Sequence, residues 1–137
     1  MAESIRRVQY FYVMAPDKPG EGARALQTLR DAGVNLLAFS GFPAGKRAQL
    51  DFIPEEPAAF RAVARKAKWK VTGPKVGFLV EGDDRTGVMA DLYAKLAAAR
   101  INITASDAVI AGTDRFGAIL WVKARDVNRT AKALGSS

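Results

Sequence analysis

The chain has 137 residues, no cysteine and no histidine, and 21 Lys/Arg against 14 Asp/Glu, for a formal charge of +7. That composition excludes a disulfide framework, a thiolate zinc site and every catalytic template built on histidine, the commonest general base. The length fits one ordinary domain or two small ones, and two units of about 65 residues would each be marginal alone, so they are expected to share a core or a sheet.

Met1 to Arg7 is polar and lacks the apolar core of a signal peptide, and no run approaches the roughly 18 apolar residues of a membrane span. A cytoplasmic location without a membrane partner is expected, and the sequons at Asn102 and Asn128 are read as chance matches. Val8 to Met14 is the first predicted strand. It leads into the turn Asp17-Lys18-Pro19-Gly20, after which Leu26, Leu29 and Ala32 recur at helical spacing and predict a buried helix face. Gly33 suits the left-handed position that ends such a helix. Asn35 follows, then two strands, Leu36 to Phe42 and Ala48 to Ile53, joined by Pro43-Ala44-Gly45-Lys46. Gly41 to Arg47 looks like a phosphate loop but is one residue short and has no Ser/Thr after the lysine, so it is read as a hairpin. A second helix is predicted over Pro57 to Ala67 and a short fourth strand around Trp69 to Thr72. Gly73-Pro74 is then expected to divide residues 1–73 from 74–137, because proline is foreign to a central strand ladder.

The same order returns. Asp84-Arg85-Thr86-Gly87 stands 67 positions after Asp17-Lys18-Pro19-Gly20, and Asn102 stands 67 after Asn35. Around these residues lie a strand (Val76 to Val80), a helix face (Leu92, Leu96, Ala99), two strands (Ile103 to Ile110, Phe116 to Ala124) and a last helix (Val127 to Leu134). Each copy therefore reads β-α-β-β-α, with a fourth strand in the first. The predicted fold is α+β, two tandem ferredoxin-like units with antiparallel sheets and helices on one face. Only Gly135-Ser136-Ser137 follows the last helix, so the second unit is expected to lack its last strand.

Asp-Lys-Pro-Gly after a first strand, an amphipathic helix, and Gly33-Val34-Asn35-Leu36 leading into the next strand resemble the ACT domain, the small ligand-binding regulatory module of amino-acid metabolism. The resemblance covers nearly the whole chain as two copies. Thr86 in place of Pro and Arg100 at the counterpart of Gly33 depart from it. It implies a non-catalytic regulatory protein, without metal or cofactor, that holds a free amino acid between two ACT-like units. One unit would contribute the loop and another the start of its second strand. Carried over residue by residue, the ligand-binding set is Asp17, Lys18, Gly20 and Asn35 in one half and Asp84, Arg85, Gly87 and Asn102 in the other.

The chemistry is consistent with that set. A helix N-terminus offers unpaired N–H groups and the positive end of the helix dipole to a carboxylate, the aspartates can accept from an ammonium group, and an α-amino acid has both. The same residues also fit a structural role, with Asp17 and Asp84 capping the helix or forming Asx-turns and the asparagines holding a tight connection. Two other functions are carried. A nucleic-acid-binding module is favoured by charge alone, chiefly Arg61, Arg65, Lys66, Lys68 and Lys70, and no RNP signature accompanies it. An enzyme on a ferredoxin-like scaffold would have Asp83-Asp84-Arg85 as its best polar cluster. The expected partners are an amino-acid effector, a separate enzyme or transporter, and a second copy of the chain, which would cover the open edge of the second unit; the chain's own first residues are the next candidate for that edge.

Overall fold

The computed structural model describes residues 3–136; Met1, Ala2 and Ser137, at the ends of the two polar termini, lie outside the described residues. The elements run β1 (Ser4–Pro16), α1 (Glu21–Asp31), β2 (Leu36–Ala44), β3 (Arg47–Pro54), α2 (Pro57–Lys66), β4 (Thr72–Asp83), α3 (Val88–Ala98), β5 (Ile103–Ile110), β6 (Arg115–Val122), a short 3-10 turn (Ala124–Asp126) and α4 (Val127–Leu134). By contact they form two units, residues 9–75 and residues 3–8 with 76–136.

In the unit of residues 9–75 the strand order is β2-β3-β1-β4, with β1 and β2 antiparallel to β3. Alternate residues Phe11, Val13, Leu50 and Phe52 point to the face covered by α1 and α2, where they meet Leu29, Phe60 and Ala64. That is the two-residue period of a strand meeting the 3.6-residue period of a helix. The core is aromatic: Phe11 stacks on Phe60 at 4.8 Å between centroids, and Phe52 lies 5.4 Å from Phe60 and 6.0 Å from Trp69.

The other unit has the order β1-β4-β6-β5. Phe78 and Val80 of β4, with Ala118, Leu120 and Val122 of β6, face Val88, Leu92 and Leu96 of α3 and Ala131 and Leu134 of α4. This core is mostly aliphatic. Phe52 and Leu120, both fully buried, pair with Phe11 and Phe78. Phe11 and Phe78 are 67 apart while Phe52 and Leu120 are 68 apart, so the hairpin after β5 holds one extra residue.

All four helices close alike. Val34 N–H reaches Leu29 C=O, Trp69 reaches Ala64, Ile101 reaches Leu96 and Ser136 reaches Ala131, each at 2.8–2.9 Å. The residue before each donor has positive φ: Gly33, Lys68, Arg100 and Gly135. This is the Schellman closure, and it places Arg100 and Lys68 where their copies at the 67-residue spacing have glycine.

Four expectations change. The first strand begins at Ser4, well before Val8, because Ile5 packs into the aliphatic core. The strand expected at Trp69 to Thr72 lies instead at Thr72 onward, since Trp69 is spent on closing α2 and filling the aromatic core. Gly73-Pro74, expected as a linker, is inside β4; a Cβ on Gly73 would come within 2.8 Å of Tyr10 C=O, and its φ of 126° suits glycine alone. The last-strand position of the second unit, expected to be empty, is taken by the start of β1, with Glu3 packed beside Gly82. A second copy is therefore not needed at that edge.

Candidate ligand-binding site

The two predicted loops start their helices with the same turn. Gly20 (φ 93°) and Gly87 (φ 82°) occupy the position before α1 and α3 in the left-handed region. Glu21 N–H bonds Lys18 C=O at 3.4 Å and Val88 N–H bonds Arg85 C=O at 3.3 Å, while Arg24 and Asp91 N–H return to Gly20 and Gly87 C=O at 2.9 and 3.0 Å. Neither helix has a side-chain cap, so Asp17 and Asp84, both exposed, do not act as N-caps. The N-cap is the glycine. The first helical N–H is used inside each turn, and helix geometry leaves the next two, of Gly22 and Ala23 and of Met89 and Ala90, facing outward.

The cations differ in what holds them. Lys18 Nζ lies 3.9 Å from Glu21, which also meets Arg24 at 3.4 Å. Arg85 is held at 2.7 Å by Asp91 and lies 3.9 Å from Glu3. Asp84 N–H bonds Asp114 C=O at 2.8 Å, and Asp83 pairs with Arg115 at 3.0 Å, so the second loop is tied to the β5–β6 hairpin. The Asp83-Asp84-Arg85 cluster is thus spread over three separate contacts.

Asn35 and Asn102 are exposed at the far ends of α1 and α3 from the loops, and Asn35 C=O accepts from Glu55 N–H at 2.9 Å. An 11-residue helix is about 16 Å long. Loop and asparagine of one copy therefore do not meet on one small ligand. Beside Asn35 lies an open depression of about 410 Å³ lined by Leu26, Leu29, Arg30, Val34, Asn35 and Leu36. Of these, sequence reasoning had assigned only Asn35 to ligand binding; the readable signal was a helix face, Leu26 and Leu29, running into a left-handed turn.

A second polar group was missed altogether. Asp51 is 7% exposed and lies in register with Tyr12 and Ser40, on the face of β3 opposite to Phe52. Gln49 Nε2 donates to its carboxylate at 2.8 Å, and Lys75 Nζ sits 5.4 Å over the Tyr12 ring. Burial holds the Asp51 carboxyl above the usual range, against the Gln49 hydrogen bond and the Lys75 charge, which both lower it. Burial likewise raises the Tyr10 phenol, with the Asp51 charge and Tyr12 adding to the effect. No spacing motif marks this group; a lone Asp in an apolar strand was the available cue. In the basic stretch of α2, Arg61 bonds Gln9 at 3.3 Å and lies 5.7 Å over Phe11, which packs the guanidinium on its own unit. Among the described residues no group of three or more acidic, Cys or His side chains could hold a metal, and no helix is long and apolar enough to cross a membrane.

No family model and no curated protein matches the chain significantly. Solved structures do. Protein BT0572 from Bacteroides thetaiotaomicron aligns at TM-score 0.81 and 13% identity over 97% of this chain and 88% of that one. The ligand-free regulatory subunit of aspartate kinase from Thermus thermophilus aligns at TM-score 0.64 and 18% identity, over 98% and 96%. The fold is that of a tandem ACT-domain module. Aspartokinase III from E. coli, in complex with aspartate and ADP, aligns at 0.57 and 12% over 97% of this chain and 32% of that one. The tandem ACT fold accounts for the repeated loop, for the helices on one face of each sheet and for the position of Asn35 and Asn102 at the start of a second strand.

Proposed function

We propose that this chain is a non-catalytic regulatory protein that binds a free amino acid, with the ligand held by the helix-start loop of one ACT-like unit and the second-strand start of another. The observation that carries the reading is the shared helix start of the two loops, each with a left-handed glycine and the same two backbone hydrogen bonds around it, and with two N–H groups that helix geometry leaves outward. A structural turn alone has no need to be built twice with the same outward donors. On this reading Lys18 and Arg85 change partners when a ligand carboxylate arrives, and Asp17 and Asp84 receive its ammonium group. Asn35 and Asn102 serve from the other unit. The regulated partner is a separate enzyme or transporter.

The neighbour solved with aspartate puts aspartate first in a calorimetric panel of the twenty amino acids. The expected outcome is saturable binding of one or a few of them and loss of binding when the ligand's carboxylate is amidated, because charge-assisted hydrogen bonds contribute roughly twice what neutral ones do. Asp17→Ala and Asp84→Ala should weaken binding without changing the far-UV spectrum. Equal affinity for the acid and its amide would exclude the helix-start model. Absence of binding across the panel would exclude the amino-acid reading as a whole.

A further inference from the structure

The strand starts that carry Asn35 and Asn102 are alike in backbone and opposite in charge. The helix before each closes in the same way: Gly33 N–H bonds Arg30 C=O at 3.0 Å and Arg100 N–H bonds Ala97 C=O at 2.9 Å, with both residues left-handed, at φ 76° and 59°. Position 100 therefore stands to its strand start as position 33 does to the other. A Cβ on Gly33 would meet nothing within 4 Å, so a side chain at this place leads into open space at the rim of the depression that Gly33, Asn35 and Leu36 line. In the second unit that side chain is a guanidinium. Glycine closes the matching helix without strain, so closure alone does not explain an arginine held in a conformation that L-residues resist.

The facing strand sharpens the contrast. Leu36 pairs with Pro54 and Ile103 with Val122, and the antiparallel register brings the next residues, Glu55 and Lys123, level with Asn35 and Asn102. Near Asn35 the charges are Arg30 and Asp31, paired with each other at 2.9 Å, and Glu55. Ala97 and Ala98 stand where Arg30 and Asp31 do, and the charges near Asn102 are Arg100 and Lys123. Both are exposed, and neither side chain has a hydrogen bond or ion pair among the described residues.

We propose that the Asn102 strand start selects an acidic amino acid through Arg100 and Lys123, while the Asn35 strand start selects an uncharged aliphatic one. A guanidinium presents a planar fork of donors that matches a side-chain carboxylate, and Lys123 adds a second positive charge. At the other start, Leu26, Leu29, Val34 and Leu36 offer an aliphatic wall, and Glu55 repels a second carboxylate. The two ACT-like units then read ligands of different class. The inference rests on the proposed function, in which both strand starts take part in amino-acid binding; what it adds is the class that each one takes.

The test is calorimetric titration with aspartate and glutamate, and with leucine, isoleucine and valine, each class alone and in the presence of the other at saturation. The expected result is one acidic and one aliphatic ligand per chain, neither displacing the other. Arg100→Gly should weaken the acidic ligand by roughly 10- to 100-fold, while the aliphatic ligand, bound at the other unit, changes by less than about twofold. Its melting temperature should not fall, because glycine suits the left-handed closure. Arg100→Lys, which keeps the charge and loses the fork, should lie between wild type and Arg100→Gly. A merely structural arginine would instead move the melting temperature and both ligands together. Competition of the two classes for the same sites, an unchanged acidic affinity in Arg100→Gly, or equal weakening of both classes overturns the inference and leaves the proposed function standing. So does a wild type that binds only amino acids outside these two classes. A wild type that binds none of the twenty overturns both.

Discussion

The unit of residues 9–75 and the unit completed by residues 3–8 have one backbone plan and two different interiors. Phe52 and Phe60 of the first are answered in the second by Leu120 and Val127, and Trp69 by Ser136. On the other face of the sheet, Asp51 of β3 corresponds to Ile119 of β6, and both are buried. The turns that start α1 and α3 and the closures that end the four described helices have nonetheless kept their hydrogen bonds. The comparison teaches that helix ends impose the tighter requirement here, since an orphaned backbone group costs about as much wherever it occurs, while a core tolerates any set of side chains that fills its volume.

The largest effect that can probe this comparison is core truncation. Phe52→Ala should cost about 3–5 kcal/mol and Leu120→Ala about 2–5 kcal/mol in urea unfolding, with the near-UV spectrum changing for the first and hardly for the second. Equal near-UV loss in both would mean that the aromatic cluster is not a separate packing unit. Next come the loop glycines. A Cβ at Gly20 or Gly87 meets nothing within 4 Å, so the cost of Gly20→Ala and Gly87→Ala is backbone strain alone, about 1 kcal/mol each and the same in both copies. Unequal costs would show that the two turns are not equivalent.

Asp51→Asn sharpens the contrast between Asp51 and Ile119 through pH. Because the folded-state pKa of Asp51 is raised, the native state holds its proton more tightly than the unfolded chain. The stability gained by protonation is complete below the ordinary value, about 3.9, and is lost as pH rises through the raised folded value. Melting temperatures should therefore be higher for Asp51→Asn than for wild type at neutral pH, and the gap should close toward pH 4. A gap that is constant with pH would assign the effect to packing. The smallest effects belong to the helix closures. Arg100→Gly and Lys68→Gly should each stabilise by about 0.5 kcal/mol, the left-handed strain relieved less the backbone entropy that glycine adds.

Much of this was legible from the 67-residue spacing. Local chemistry wrote the loops, the helix faces and the hairpins into short windows, and the two copies confirmed each other. Gly33 announced its left-handed turn; Lys68 did not, because the closure there is enforced by Trp69 packing against Phe52 and Phe60 from outside the helix. The extent of β1 was hidden for the same reason. Ser4 to Arg7 has no strand signal of its own and is extended because β4 lies beside it. The Asp51 group depends on strand register, which brings Tyr12 and Ser40 alongside only once β1, β2 and β3 are paired.

The strand that begins at Ser4 also governs how the chain is made and how it can be cut. The residues that finish the later unit are made before β4 and must wait for it and for the elements after it, so that unit cannot close until α4 has been made. A cut at the natural-looking boundary of Gly73-Pro74 leaves two fragments, each missing a strand that the other carries. Neither fragment should fold alone, yet mixed together they should rebuild both units, which makes this protein a ready two-piece complementation system.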